Sequence, residues 1–428
     1  MSKLVSTLQE ETMHAEPASA EGFRDSTGRI YQGWKTTMAS MAGAAVGPSC
    51  ILVFCFGSFI VPLQNEFGWR VDQISFGATI ISLMMIVTAL GGGALVDRVG
   101  CRRLIVWSMP LFAAGVAAMS RLPADIGMFY AALIAVAILG LGVWPVTYTK
   151  ATASWFDRRL GLSIAMTYTG LGIGAALMPA LLAHVIPTYG WRNAFIILGL
   201  LALLPWPIAL LYLRERRVGK RAADSGQGHR SVTGMSFREA ARTTEFKLLI
   251  VTFAILGAAS ATVITQQVRV LVDAGISMPS AMAMQSVLGI ALIVGRLGTG
   301  WLLDRISASR IMVVLCLAGT VSLAFYAAGS PFNTALLSAA LFGALIGAEL
   351  DVLGFLIPRY FGFRAYGAIW GSVFSAFQLF SGIAIALSGL ARTQLGSYTI
   401  PFTVLAALLL FAAVLFGRLG PYRYASQT

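Results

Sequence analysis

The chain has 428 residues, 57% of them hydrophobic and only 11% charged, and a mean hydropathy of +0.78, which excludes an ordinary soluble domain. Its net charge of +13 would point to nucleic acid in a soluble protein. Here the basic residues fall between apolar runs, so the charge reads as membrane topology and nucleic-acid binding is not expected.

The first 40 residues are polar, with Glu10, Glu11, Glu16, Glu21, Arg24, Asp25 and Arg29, and no basic head precedes a short apolar segment, so no signal peptide is read there. Apolar runs follow over 42–63, 74–96, 104–120, 126–149, 161–186, 193–213, 247–268, 281–303, 311–329, 334–357, 366–390 and 398–417. Each is near the length a helix needs to cross about 30 Å of hydrocarbon. The longest hydrophilic interruption contains RERRVGKRAADSGQGHR and separates six runs from six. The expected organisation is all-α and polytopic: a cytoplasmic polar tail (1–40), a six-helix bundle (41–213), a basic linker (214–246), a second six-helix bundle (247–417) and a cytoplasmic tail (418–428). With both tails in the cytoplasm, 25 lysines and arginines lie on that side and five on the other, Arg70, Arg121, Arg192, Arg269 and Arg392, the asymmetry that insertion requires.

GALVDRVGCRR, Gly93 to Arg103, follows the second run, and GWLLDRISASR, Gly300 to Arg310, follows the eighth at the same spacing. A motif recurring in register marks a duplicated bundle. These residues resemble the loop between the second and third helices of the major facilitator superfamily, and Gly93, Asp97, Arg98, Gly100, Arg102 and Arg103 match its pattern, with Gly300, Asp304, Arg305 and Arg310 repeating it. The resemblance implies two packed six-helix bundles and transport by alternating access. A helix end leaves backbone groups unpaired and carries a partial charge, so the motif is expected to latch neighbouring helices of one bundle together.

The stretch from Trp155 to Gly174, WFDRRLGLSIAMTYTGLGIG, is similar to the junction of the fourth and fifth helices in monocarboxylate transporters and oxalate/formate exchangers, at Phe156, Arg158, Arg159, Leu160, Gly170 and Gly174. Arg296 lies within the eighth run, in GIALIVGRLGTG, where a charge is costly unless it meets a watery cavity or a partner. Its planar, permanently charged fork suits a carboxylate, and by the resemblance it occupies the position of the substrate-binding arginine of monocarboxylate transporters. Two departures limit the likeness. Leu292 stands where those transporters carry an aspartate one turn earlier, and Gly57 where they carry a lysine. In the eleventh run Ser372, Ser375 and Gln378 stand where the oxalate exchanger has a lysine. One intramembrane cation fits a monoanion.

The tenth run carries Glu349 and Asp351, which two residues apart point about 200° from each other on a helix. Only one can face the cavity between the bundles, and the deeper Glu349 is preferred as the proton carrier, with Asp351 as the alternative. Trp144 and Tyr148, beside the helix-breaking Pro145, and Gln378 complete the expected substrate contacts. No nucleophile with a base, phosphate loop or metal-ligand spacing appears, so neither an enzyme nor a metal or organic cofactor is expected. The reading is a secondary carrier of a small organic monocarboxylate in the inner (plasma) membrane, a monomer in the bilayer taking up substrate with a proton. Drug efflux and anion exchange without a proton are its rivals.

Overall fold

The computed structural model describes residues 30–215, 234–329 and 332–424. The polar tail before residue 30, most of the basic linker and the last four residues lie outside that description. Among the described residues, ten helices are long and apolar enough to cross a membrane, and Ile126–Leu139 is a shorter apolar one. One of the ten, Leu160–Tyr212, contains two runs, the fifth and the sixth. They meet at Gly190, whose φ of 80° breaks the helical path, a conformation open to glycine because it lacks a Cβ.

The first span starts at Gln32, inside the stretch read from sequence as tail. The reason is packing. Trp34 is buried and sits edge-on to Phe156 at 4.8 Å between ring centroids, which ties the polar-looking start of the helix to the junction after the fourth span.

Two spans of the first half are broken near their middles. The first runs as Gln32–Ala45 and Phe56–Phe67, joined by a wide turn at Ser49–Phe54. The fourth runs as Ile126–Leu139 and Pro145–Ala153. Pro48 and Pro145 cannot donate a helical hydrogen bond, and glycines let the two breaks touch. A Cβ at Gly47 would stand 3.1 Å from the Val143 carbonyl oxygen, and one at Gly140 would stand 3.0 Å from Pro48. The freed Gly142 N–H donates to Ser108 Oγ at 3.1 Å. The matching spans of the second half, Thr244–Asp273 and Phe332–Phe361, are continuous.

Each half has its own apolar core. One gathers residues from Ala39 to Leu213, and the other gathers the second half together with Val146, Ile164 and Tyr168, which project toward it. The halves cross along two glycine seams. In one, the second span (Val71–Val99) meets the eleventh (Tyr366–Leu395), where a Cβ at Gly93 would lie 2.0 Å from the Gly367 carbonyl oxygen and one at Gly371 2.1 Å from that of Ala89. In the other, the eighth span (Met278–Leu303) meets the fifth, where a Cβ at Gly161 would lie 2.5 Å from the Gly300 carbonyl oxygen. Only residues without side chains permit such approach.

Candidate functional site

The motif aspartates sit at the ends of these seams. Asp97 accepts the backbone N–H groups of Gly367 and Ala368, both at 2.9 Å, at the start of the eleventh span. Asp304 accepts those of Gly161 at 2.7 Å and Leu162 at 3.2 Å, at the start of the fifth. The contact therefore joins one bundle to the other, where the sequence reading had it joining helices within a bundle. The physical reason is the same one that suggested the latch. A helix N-terminus offers unpaired N–H groups and a positive dipole end, and the available N-termini belong to the opposite half.

The motif arginines do not reach these aspartates. Arg102 donates to the Leu210 carbonyl at 2.9 Å, while Arg305 donates to the Trp301 carbonyl at 3.0 Å and lies over its ring. Arg98, Arg103 and Arg310 are exposed. The cation beside Asp97 is instead Lys150, a buried residue of the fourth span, at 2.8 Å. Gly100 has a φ of 91° and sits against Glu215, which accepts the Cys101 N–H at 2.9 Å. Asp304 lies just beyond the end of the eighth span, and burial pushes its carboxyl up to about 6 in spite of the two N–H groups and of Arg305 and Arg359 nearby. Arg359 adds a further tie by donating to the Asp157 carbonyl across the halves.

Deeper between the bundles is Arg296, only 6% exposed. Its Nη1 donates to the main-chain carbonyl of Tyr168 at 2.9 Å, across the interface, and its Nε donates to that of Gly347 at 3.4 Å. The guanidinium stands 5.5 Å from the centre of the Tyr168 ring, a cation over an aromatic face. Its acid is Asp351, with Oδ2 3.6 Å from Nε. Glycines set this distance. A Cβ at Gly347 would meet the Leu292 carbonyl oxygen at 2.2 Å and the Arg296 nitrogen at 2.8 Å, so the tenth span lies close against the eighth and Asp351, one turn further, reaches the arginine. The aspartate missing at Leu292 has a spatial counterpart on a neighbouring helix.

Glu349 points the other way. Its carboxyl is buried and accepts a hydrogen bond from Ser260 of the seventh span, within the second bundle. The ion pair with Arg296 is made by Asp351, the alternative, while Glu349 lies within electrostatic range of Arg296 without pairing with it. Tyr148 is likewise turned from the interface. It belongs to the core of the first bundle, with its hydroxyl against Gly43 of the first span. Trp144 is buried at the break of the fourth span with its indole N–H unpaired among the described residues. Gln378 is half-buried on the seam, 3.5 Å from the Met85 sulfur.

Two residues that the sequence reading did not single out complete the surroundings of Arg296. The Tyr168 hydroxyl lies beside Thr149, Trp370, Asp351 and Arg296. Tyr168 carries no charge in an apolar run to draw attention, and Trp370 reads as a packing residue.

A duplicated helical bundle with a polar, charged centre between its halves defines an integral membrane transporter. A family model, Major Facilitator Superfamily, matches residues 42–384, and the chain belongs to that superfamily. It is similar to monocarboxylate transporter 13 of Rattus norvegicus, with 24% identity over 387 residues covering 88% of this chain and 86% of that one. It is also similar to a gallate transporter of Pseudomonas putida, with 25% identity covering 79% and 86%. Among solved structures it shares its fold with the fucose:proton symporter of E. coli (TM-score 0.66, 14% identity, 93% and 98% covered) and a human organic anion transporter (TM-score 0.68, 14% identity, 90% and 99% covered).

Proposed function

We propose that the protein takes up a small organic monocarboxylate together with a proton across the inner (plasma) membrane, with Arg296 as the anion clamp and Asp351 as the proton carrier. The observation that carries this reading is the buried Arg296–Asp351 pair at the interface. The names of similar proteins, a monocarboxylate transporter and a gallate transporter, support the choice of substrate class.

The pairing supplies a coupling chemistry. Both Asp351 carboxylate oxygens are buried and lack a hydrogen-bond partner among the described residues, so Arg296 alone balances that charge. When Arg296 turns its fork to a substrate carboxylate, Asp351 is left without a counter-ion in a low-dielectric site, and a proton replaces it. Loaded with one anion and one proton, the pair carries no more net charge than when empty. That suits passage of the site through the membrane's interior. After release of both, the ion pair reforms.

The face bearing the motif loops holds most of the lysines and arginines, which favours its assignment to the cytoplasm. In that orientation the aspartate latches close the carrier toward the cytoplasm. The test is uptake of single radiolabelled organic acids into proteoliposomes with an imposed pH gradient. Arg296→Gln is expected to abolish saturable uptake, and an ionophore that collapses the gradient is expected to stop wild-type accumulation. Undiminished affinity in the Arg296 variant would remove the clamp, and accumulation insensitive to the ionophore would favour exchange.

A further inference from the structure

Arg310 closes the second copy of the duplicated motif, and the latch leaves it unused. Its side chain is exposed and makes no ion pair or hydrogen bond among the described residues. It lines a groove of about 660 Å³ where the start of the ninth span (Ala308–Ala327) meets the end of the twelfth (Thr399–Gly417). No acid is among the described residues that line this groove. Glu245, which lies in electrostatic range of the lining Tyr360, is neutralised by Arg423 at 2.6 Å.

The groove is polar at the helix ends and apolar below them. Ser307 spends its hydroxyl on no cap bond, and Tyr422 accepts the Ala308 N–H at 2.8 Å, which leaves its own O–H as a donor. With the Arg310 guanidinium these donors complement a phosphate. Gly417 keeps the floor open, since a Cβ there would meet only Val313, at 3.9 Å. Beyond Arg310, Val314 (65% exposed), Leu317 (43%) and Val321 (47%) follow at helical spacing on one face of the ninth span. At 1.5 Å per residue Val314 already lies about 6 Å deeper than Arg310. A charged head with an apolar track leading into the bilayer matches a phospholipid, whereas a free phosphate would use only the head.

We infer that this groove binds one anionic phospholipid of the leaflet on the motif-loop face, with its phosphate on Arg310, Ser307 and Tyr422 and an acyl chain along Val314, Leu317 and Val321. That face carries most of the lysines and arginines, and a leaflet bearing anionic lipid attracts such charge. The site is independent of the anion clamp and adjoins the loop that carries the Asp304 latch.

The full-length carrier in detergent is titrated with dioctanoyl phosphatidylglycerol, dioctanoyl phosphatidylcholine and glycerol phosphate, and bound molecules are counted by native mass spectrometry. Phosphatidylglycerol is expected to bind about tenfold tighter than phosphatidylcholine, the scale of one hydrogen bond to a charged group. Arg310→Gln should erase most of that preference, and Gly417→Leu, which fills the groove and keeps the charge, should weaken both lipids. Arg242→Gln, at an exposed arginine of the same face outside the groove, should leave binding unchanged. Equal weakening by Arg242→Gln and Arg310→Gln would reduce the effect to diffuse surface attraction and overturn the site. Equal affinity for the two lipids, or binding unchanged in Gly417→Leu, would also overturn it. Displacement of phosphatidylglycerol by equimolar glycerol phosphate would overturn the lipid assignment in favour of a free phosphate.

Discussion

Asp97 and Gly367 stand 270 residues apart in the chain and are joined by a 2.9 Å hydrogen bond from the Gly367 N–H to the Asp97 carboxylate. The bond is possible because Gly93, one turn earlier, lets the backbones of the second and eleventh spans touch. A side chain at Gly93 would force them apart. Gly93→Val is therefore expected to shift the carrier away from the latched state by about tenfold or more, the effect of a steric intrusion of roughly 1–3 kcal/mol. Spin labels at Val99 and Arg364, on the two sides of the seam, read this as a population at longer distance.

The second latch is sensitive to acid. Burial holds the Asp304 carboxyl up at about 6, whereas separation of the bundles returns it to water and the ordinary value near 4. The latched form thus holds its proton more tightly. Its stability gains as pH falls through about 6 toward 4 and loses that contribution above 6, by up to about tenfold in population per unit across the window. Labels at Ile306 and Arg158 should report more closure at pH 5 than at pH 7.5, and Asp304→Asn should flatten the curve.

The two acids of the tenth span should part company on mutation. Asp351→Asn cannot take up a proton, so gradient-driven accumulation is expected to vanish while counterflow of labelled substrate against unlabelled substrate persists. Glu349→Gln, at a side chain bonded to Ser260 and making no ion pair with Arg296 among the described residues, should keep proton-dependent uptake. Ser260→Ala removes the donor to a buried carboxyl and is expected to cost about 1–3 kcal/mol of stability, measurable as a lower melting temperature in detergent. Loss of proton dependence in Glu349→Gln with its retention in Asp351→Asn would reverse the roles.

Tyr148→Phe provides a contrast. Its hydroxyl lies in the core of the first bundle without a partner among the described residues, so deletion should change stability by less than about 1 kcal/mol and leave substrate affinity unaltered. A tenfold loss of affinity would return Tyr148 to the binding site.

What the sequence disclosed follows the range of its signals. The spans, the duplicated motif and the misplaced charge of Arg296 are local patterns, legible because hydrocarbon tolerates few exceptions. The partners of those residues are not local. Asp97 meets a helix end in the other half, Asp351 meets Arg296 because glycines of two helices interlock, and the direction of Glu349 depends on where the seventh span lies. Lys150, at the end of the fourth run, becomes a buried counter-ion only through a partner 53 residues away, Asp97. The interruption of the first span was hidden too, since proline and glycine are frequent in transmembrane helices whether or not they break them.

The breaks in the first and fourth spans, set against the unbroken seventh and tenth, make the two halves mechanically unequal. Where helical hydrogen bonds are absent, small rotations about a few dihedrals can bend a segment without dismantling it. The amino-terminal half thus has a joint at mid-depth, and the carboxy-terminal half, which carries the Arg296–Asp351 pair, acts as the stiff arm against which that joint flexes. Rocking in this carrier is then lopsided: one half yields around the cargo while the other keeps the charged groups in register.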